Sequence, residues 1–279
     1  MSVELTSRER IVYPEAGFTK GDVADYYAAV GGLLLRHLEG RPVTLLRCPE
    51  GVDRQGWYQT QCRGRPEWMS TTRIGTQDYC VFTELRDVVW AVNRGAVELH
   101  PFLARAAAPD EPTAVVFDLD PGPPADVAAC CEVALLLREA AGAAAVAKTS
   151  GASGLHVYAP TSERTYAETK ALARRVADEL AARRPDLVVA RKDRALRAGR
   201  VLVDWAQNDR TKSLAAAYSL RAMPWPTVST PVTWDEVERA AAERRPELLT
   251  FLPDAVLRRI ERFGDLFEPL ASLWRRPMR

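Results

Sequence analysis

Three aspartates dominate the chemistry this chain could carry. Ala114-Val115-Val116-Phe117 reads as a buried strand running straight into Asp118-Leu119-Asp120-Pro121-Gly122. Residues i and i+2 of a strand point to the same side, so the two carboxylates share one face while Phe117 and Leu119 take the other. Like charges held that close repel each other. A divalent cation is the usual remedy, and carboxylate oxygen suits Mg²⁺ or Mn²⁺. A solvated strand end would carry the same pair, so the motif alone leaves metal binding open. Asp204 adds to it, because it interrupts the otherwise apolar Val201-Leu202-Val203-Asp204-Trp205, where an unpaired carboxylate is costly. A third carboxylate meeting the first two across adjacent strands would build a two-metal site. There one ion activates an attacking hydroxyl and the other stabilises the leaving oxygens. A salt bridge from Asp204 to an arginine of the basic segment beside it is the alternative compensation.

Between these aspartates lies Lys148-Thr149-Ser150-Gly151-Ala152-Ser153-Gly154-Leu155-His156. Small residues on a strand-to-strand turn let backbone N–H groups and hydroxyls approach a phosphate, and Lys148 or His156 can add charge. This is not a Walker loop, since the Gly-Lys-Ser/Thr ending and the following helix are missing. Gln207-Asn208 and Tyr218-Ser219-Leu220-Arg221 supply the amide, hydroxyl and guanidinium groups that holding a nucleotide sugar and triphosphate would require, each a weak signal taken singly. Trp57 and Tyr58, beside the loop Arg63-Gly64-Arg65-Pro66, could stack on bases of a single-stranded template; lone aromatics are more often core. His37, on a helix flank, reads as structural.

The elements that must position these residues follow from periodicity. Asp22 caps a helix that places Val23, Tyr26, Tyr27, Val30, Leu34 and Leu38 at helical spacing. Strands are predicted at Pro42–Arg47 and from Trp57, then a helix at about 84–94 and Val97-Glu98-Leu99-His100-Pro101. After the Asp118 strand come a helix (about 125–140), strands at 143–148 and 155–159, and a long amphipathic helix (about 165–183). Strands near 187–191 and 200–206 follow, then two C-terminal helices. Strands alternating with helices argue for an α/β core, with antiparallel pairing where connections are short. The Pro-rich span 101–112 is the predicted internal boundary.

The 279 residues are 47% hydrophobic and 27% charged, ordinary globular composition able to bury a sizeable core. No apolar run reaches the roughly 18 residues of a membrane span, and the polar, mixed-charge Met1–Arg10 does not read as a signal peptide. A soluble cytoplasmic protein is expected. Net charge is only +1, yet residues 183–212 hold nine bases against four acids, mostly arginine, whose planar fork suits phosphate. A solvated face would show the same charge. Five cysteines with no CxxC pair are expected to be reduced, structural thiols, and zinc is not expected.

Taken together these segments resemble the polymerase domain of bacterial DNA ligase D, a branch of the archaeo-eukaryotic primase superfamily. The correspondence runs nearly end to end, from Ile11-Val12-Tyr13-Pro14 and Gly17-Phe18-Thr19-Lys20-Gly21-Asp22 through Glu98-Leu99-His100-Pro101 to Val232-Thr233-Trp234-Asp235-Glu236. The aspartate strands, the glycine turn and Tyr218–Arg221 all fall in order between them. The resemblance implies a primase-polymerase fold over 1–279: an α/β, mixed-sheet core with an RRM-like catalytic part (111–279, with the C-terminal helices) and an N-terminal DNA-binding part (1–110). It implies template-directed nucleotidyl transfer from NTP or dNTP to a primer 3′ end, filling gaps in bacterial non-homologous end joining. Asp118, Asp120 and Asp204 would bind two metal ions, Mn²⁺ or Mg²⁺. Lys148, Ser150, His156 and Arg221 would hold the triphosphate, with Gln207 near the sugar. Arg10, Lys20, Trp57 and Tyr58 would meet DNA and its 5′-phosphate. Expected partners are DNA ends and gapped duplexes, Ku and a separate ATP-dependent DNA ligase, with no membrane and a location at the cytoplasmic nucleoid.

Three positions depart from the family's pattern: Arg10, Thr60 and Ser153 stand where lysines are usual. A lost charge-assisted contact costs about 1.5–3 kcal/mol, so catalysis with weakened nucleotide or end binding is expected. Two rival readings remain. One is a catalytically weakened nucleic-acid-binding relative acting as a repair scaffold. The other is a haloacid-dehalogenase-type phosphatase, whose nucleophile strand Val115–Asp120 mimics; Pro121-Gly122 after the second aspartate argues against it.

Overall fold

The computed structural model describes residues 3–142 and 144–273. Residue 143, at the start of one expected strand, lies outside them. Two compact units emerge, and neither is continuous in sequence: residues 1–109 join with 213–229 and 251–264, while 110–212 join with 230–250 and 265–279. The chain first crosses inside the Pro-rich span, but stretches from the second half return to the first unit.

The first unit begins with a two-stranded pair, β1 (Ile11–Tyr13) and β2 (Phe18–Thr19). Helix α1 (Lys20–Leu38) follows. Its cap is Thr19 rather than Asp22: the Thr19 hydroxyl accepts from Asp22 N–H and the Asp22 carboxylate accepts from Thr19 N–H, a reciprocal box that satisfies two orphan donors. Val23, Tyr26, Tyr27, Val30, Leu34 and Leu38 form its buried stripe. A five-stranded sheet comprises β3 (Pro42–Arg47), β4 (Trp57–Gln59), β5 (Thr71–Ile74), β6 (Gln77–Val81) and, after α2 (Leu85–Asn93), β7 (Ala96–Pro101). Strand β3 is central, with β7 along one edge and β4 and β6 sharing the other.

One expectation fails in this sheet. Cys62 and Cys80 form a disulfide, while Cys48, Cys130 and Cys131 are free and buried. The Cys62 N–H donates to Asp78 O at 2.7 Å, laying the loop alongside β6, so two cysteines scattered in sequence become neighbours. The hairpin β8 (Ala104–Arg105) and β9 (Ala108–Pro112) then carries the chain onward.

The second unit is built on a six-stranded sheet. Its strands are β10 (Ala114–Pro121), β11 (Val146–Thr149), β12 (Leu155–Pro160), β13 (Val188–Val189), β14 (Val201–Asp204) and β15 (Pro231–Val232), in the spatial order β13-β14-β10-β12-β11-β15. Only β13 and β14 run parallel; every other pair is antiparallel. The core is thus mixed, and short connections such as 150–154 make hairpins. Helices α3 (Val127–Ala141) and α4 (Tyr166–Arg183) cover the face bearing Val115 and Phe117. The opposite face is left to Val116, Asp118 and Asp120. The expected pair of C-terminal helices is three: α5 (Trp234–Glu243), α6 (Pro253–Phe263) and α7 (Glu268–Leu273). Among the described residues no helix is long and apolar enough to cross a membrane.

Asn208 explains how β10 tolerates the short β14. Pairing with β14 covers only Asp118–Pro121. Beyond that, the Asn208 side chain accepts from Val116 N–H at 2.9 Å and donates to Val116 O at 2.7 Å. Fully buried, it replaces one ladder residue and satisfies groups that burial would otherwise leave unpaired. Its expected place near a nucleotide is therefore corrected to a structural one.

Candidate active site

The register of the second sheet sets four ionisable side chains in one row. Asp204 on β14 stands opposite Asp118 on β10, Asp118 opposite His156 on β12, and His156 opposite Lys148 on β11. Directly opposed residues of antiparallel strands share a face, so the row crosses four strands on the side away from α3 and α4. Asp120 lies two residues further along the same side of β10.

The contacts follow the row. His156 Nε2 is 3.1 Å from Asp118 Oδ1, and Lys148 Nζ is 2.9 Å from His156 Nδ1. Gln207 Nε2 donates to both Asp118 Oδ2 and Asp204 Oδ2, each at 3.2 Å. Lys192 Nζ reaches Asp204 Oδ2 at 2.7 Å, and Ala206 N–H donates to Asp204 Oδ1 at 3.0 Å. Arg197 stands 3.9 Å from Asp120. The basic segment does compensate the carboxylates, but Asp204 takes a lysine rather than an arginine. Two glycines permit this packing: a Cβ at Gly154 would strike Leu119 O, and one at Gly122 would strike Arg197 O.

Repulsion within the cluster is visible in Asp120. Burial first, then the neighbouring Asp118 charge, pushes its carboxyl up to about 6, against the pull of Arg197. A carboxyl raised in the folded state favours folding when protonated, so that contribution is present at low pH and lost as pH rises from about 4 to 6. The metal-free protein is therefore expected to melt at lower temperature as pH rises through that window, and Asp120→Asn to flatten the fall. Because Asp120 is 43% exposed, the effect is held to about 1 kcal/mol by solvent screening. Differential scanning calorimetry in a chelator checks it; an unchanged slope in the variant refutes it.

The donor chemistry fits a hard cation, since three carboxylates on neighbouring strands present oxygen only. Among the described residues no three His, Cys, Asp or Glu side chains stand in a preformed ligand cluster; the Gln207 amide and the Lys192 ammonium occupy the carboxylate oxygens instead.

Other expected site residues have different places. Lys148 is fully buried, with its ammonium on His156 Nδ1. Ser150 Oγ accepts from Ala152 and Gly154 N–H at 3.1 and 3.0 Å, organising the glycine turn. Arg221 belongs to the first unit. So does Lys20, which is buried with Nζ on Thr6 O at 2.7 Å and Asn93 Oδ1 at 2.9 Å. Its ammonium is thus internally satisfied in this structure, and Lys20 and Arg10 line one small pocket. Arg10 accepts the Lys20 backbone N–H through its carbonyl at 2.8 Å. Trp57 and Tyr58 are 46% and 58% exposed, not core; Arg47 lies over the Trp57 ring and the Tyr58 ring meets His100 edge-on. Glu98 and His100, which the sequence marks only as part of Glu98-Leu99-His100-Pro101 with no role assigned, pair within β7 at 2.6 Å. Their signal was the same i, i+2 spacing of polar groups in an apolar strand that marks Asp118 and Asp120.

A mixed sheet carrying opposed carboxylates on the face away from α3 and α4, beside a basic segment and a glycine hairpin, fits a primase-polymerase. Residues 19–267 match the family model described as LigD, primase-polymerase domain, and the chain belongs to that family. It is 38% identical to the multifunctional non-homologous end joining DNA repair protein LigD of Mycobacterium tuberculosis (strain ATCC 25618 / H37Rv), over 96% of this chain and 37% of that protein. It is 30% identical to LigD of Pseudomonas aeruginosa, over 85% of this chain and 29% of that protein. The chain thus spans little more than a third of its mycobacterial relative. The solved polymerase domain from Mycobacterium tuberculosis ligase D, in complex with DNA, superposes with a TM-score of 0.88 at 36% identity, covering 97% of this chain and 98% of that one. Membership of this family sets aside the phosphatase reading.

Proposed function

We propose that this chain is a template-directed nucleotidyltransferase that adds ribo- or deoxyribonucleotides to a DNA 3′ end during gap filling in end joining. The observation that supports it most is Asp118 facing Asp204 across β10 and β14, with Asp120 beside them. Those carboxylates would hold divalent cations, Mn²⁺ or Mg²⁺, which when bound supply the charge that lowers the hydroxyl pKa and neutralises the departing phosphate. The chain's own residues do the rest. His156, fixed by Lys148, orients Asp118; Gln207 spaces Asp118 from Asp204; the Ser150–Gly154 turn offers a small-residue cradle to phosphate. Trp57 and Tyr58 present ring faces to unpaired bases, and Arg221 holds a polyphosphate. Ku and a separate ATP-dependent ligase complete the end-joining partners in this reading.

The test is extension of a gapped, 5′-phosphorylated duplex, comparing both sugars and both metals. Incorporation opposite the templating base is the expected result, fastest with Mn²⁺. Binding of the duplex without incorporation of either sugar under either metal would leave only the scaffold reading.

A further inference from the structure

The first unit holds an ionic cluster joining Arg221 to Glu98 and, through it, to His100, two side chains that the nucleotidyl-transfer reading leaves without a role. Glu98 is buried; its Oε2 stands 2.9 Å from Arg221 Nε and 2.6 Å from His100 Nε2, and its Oε1 accepts the Ala222 N–H at 2.8 Å. Burial works against its charge, but the His100 hydrogen bond and Arg221 outweigh it and hold the carboxyl below its usual range.

The backbone bearing Arg221 is equally constrained. Tyr218 takes φ +67°, a left-handed conformation that costs a non-glycine residue about 1–3 kcal/mol. The surroundings hold it there. Tyr26 Oη donates to Tyr218 O at 2.9 Å, Tyr27 Oη accepts from Leu220 N–H at 3.2 Å, and Tyr13 Oη donates to Arg221 O at 2.9 Å. Ser219 Oγ accepts from Leu99 N–H at 3.0 Å, tying the segment to the strand that carries Glu98.

A carboxylate against a phosphate-binding arginine removes net positive charge, which lowers long-range attraction for an anion. Its compensation is geometric: the pair is an ion pair by distance and not an aligned hydrogen bond at Nε, and a guanidinium anchored by a buried carboxylate loses less rotamer entropy when it binds. We propose that Glu98 is a positioning residue, fixing the Arg221 guanidinium as a directed anion clamp for the polyphosphate of the incoming nucleotide. This rests on the nucleotidyltransferase reading for the identity of the ligand.

The two possible roles of Arg221 give opposite signs. If Arg221 acted only as charge, Glu98→Gln would free that charge and tighten polyphosphate binding. If Glu98 positions it, the same change weakens binding although net charge rises. The experiment measures binding of ATP and of inorganic tripolyphosphate by calorimetry, and the nucleotide KM and kcat on a gapped duplex, for wild type, Glu98→Gln, Arg221→Ala and the double variant. Expected are about tenfold weaker binding of both anions and a KM rise of like size in Glu98→Gln, kcat near wild type, and no further loss when Glu98→Gln is added to Arg221→Ala. Unchanged or tighter binding in Glu98→Gln, or a full additional loss in the Arg221→Ala background, overturns the proposal. Should Glu98→Gln not fold, Glu98→Asp, which keeps the charge and shortens its reach toward Arg221, decides it the same way. Failure of the enzymatic reading shows separately, as a wild-type protein that binds tripolyphosphate but extends nothing.

Discussion

Asp118→Asn is expected to lower primer extension by about a thousandfold or more while the protein melts near the wild-type temperature and still binds DNA. The size follows from the several kcal/mol that carboxylate-held metal ions contribute to phosphoryl transfer. Asparagine keeps the shape of the side chain and the contacts to His156 Nε2 and Gln207 Nε2 can be partly retained, so the change removes a charge rather than a strand. DNA affinity is spared because the exposed aromatics Trp57 and Tyr58 belong to the other unit. Steady-state extension on a gapped duplex, with fluorescence anisotropy for DNA and Mn²⁺ titration by electron paramagnetic resonance, checks all three points. Extension within tenfold of wild type would remove Asp118 from the chemistry.

Truncating both exposed rings of β4 carries the second large effect. Base–aromatic stacking contributes about 1–3 kcal/mol per base, so Trp57→Ala with Tyr58→Ala should weaken binding to single-stranded template overhangs by about 5- to 150-fold if one ring stacks, and by about thirtyfold or more if both do. Consecutive strand residues normally point to opposite faces. Both of these are exposed because β4 is an edge strand of three residues. Neither substitution removes a charge, so the slope of affinity against salt should stay at its wild-type value. Arg47, which lies over Trp57, provides the contrast, since its removal should flatten that slope. Undiminished binding by the double variant would mean that the template runs elsewhere.

The site was legible to the extent that its signals were local. Asp118 and Asp120 share a face by strand period alone, and the apolar run around Asp204 demanded a partner. That Asp204 should face Asp118 in register depended on strand order, which no local pattern specifies. Burial was equally hidden. Lys148 and His156 read as phosphate ligands from type and spacing, but their pairing across a hairpin turns the lysine inward. The partners of Lys20 were hidden for the same reason, because Thr6 and Asn93, which bond its ammonium, are distant or inconspicuous in sequence. Strand β3 and helix α4 emerged where apolar periodicity placed them. The β5–β6 hairpin did not, since Thr71-Thr72-Arg73-Ile74 is polar edge material with no alternation to betray it.

The discontinuity of the two units bears on how a ribosome could release this chain into its folded form. Strand β7 and helix α1 emerge early, yet Glu98, Tyr26, Tyr27 and the Leu99 amide find their partners only in residues 218–222. Leu99 waits 120 residues for its partner and Tyr26 waits 192, and until then those polar groups must stay hydrated or be shielded by a chaperone. A fragment ending at Pro109 should accordingly be loosely packed and prone to aggregate.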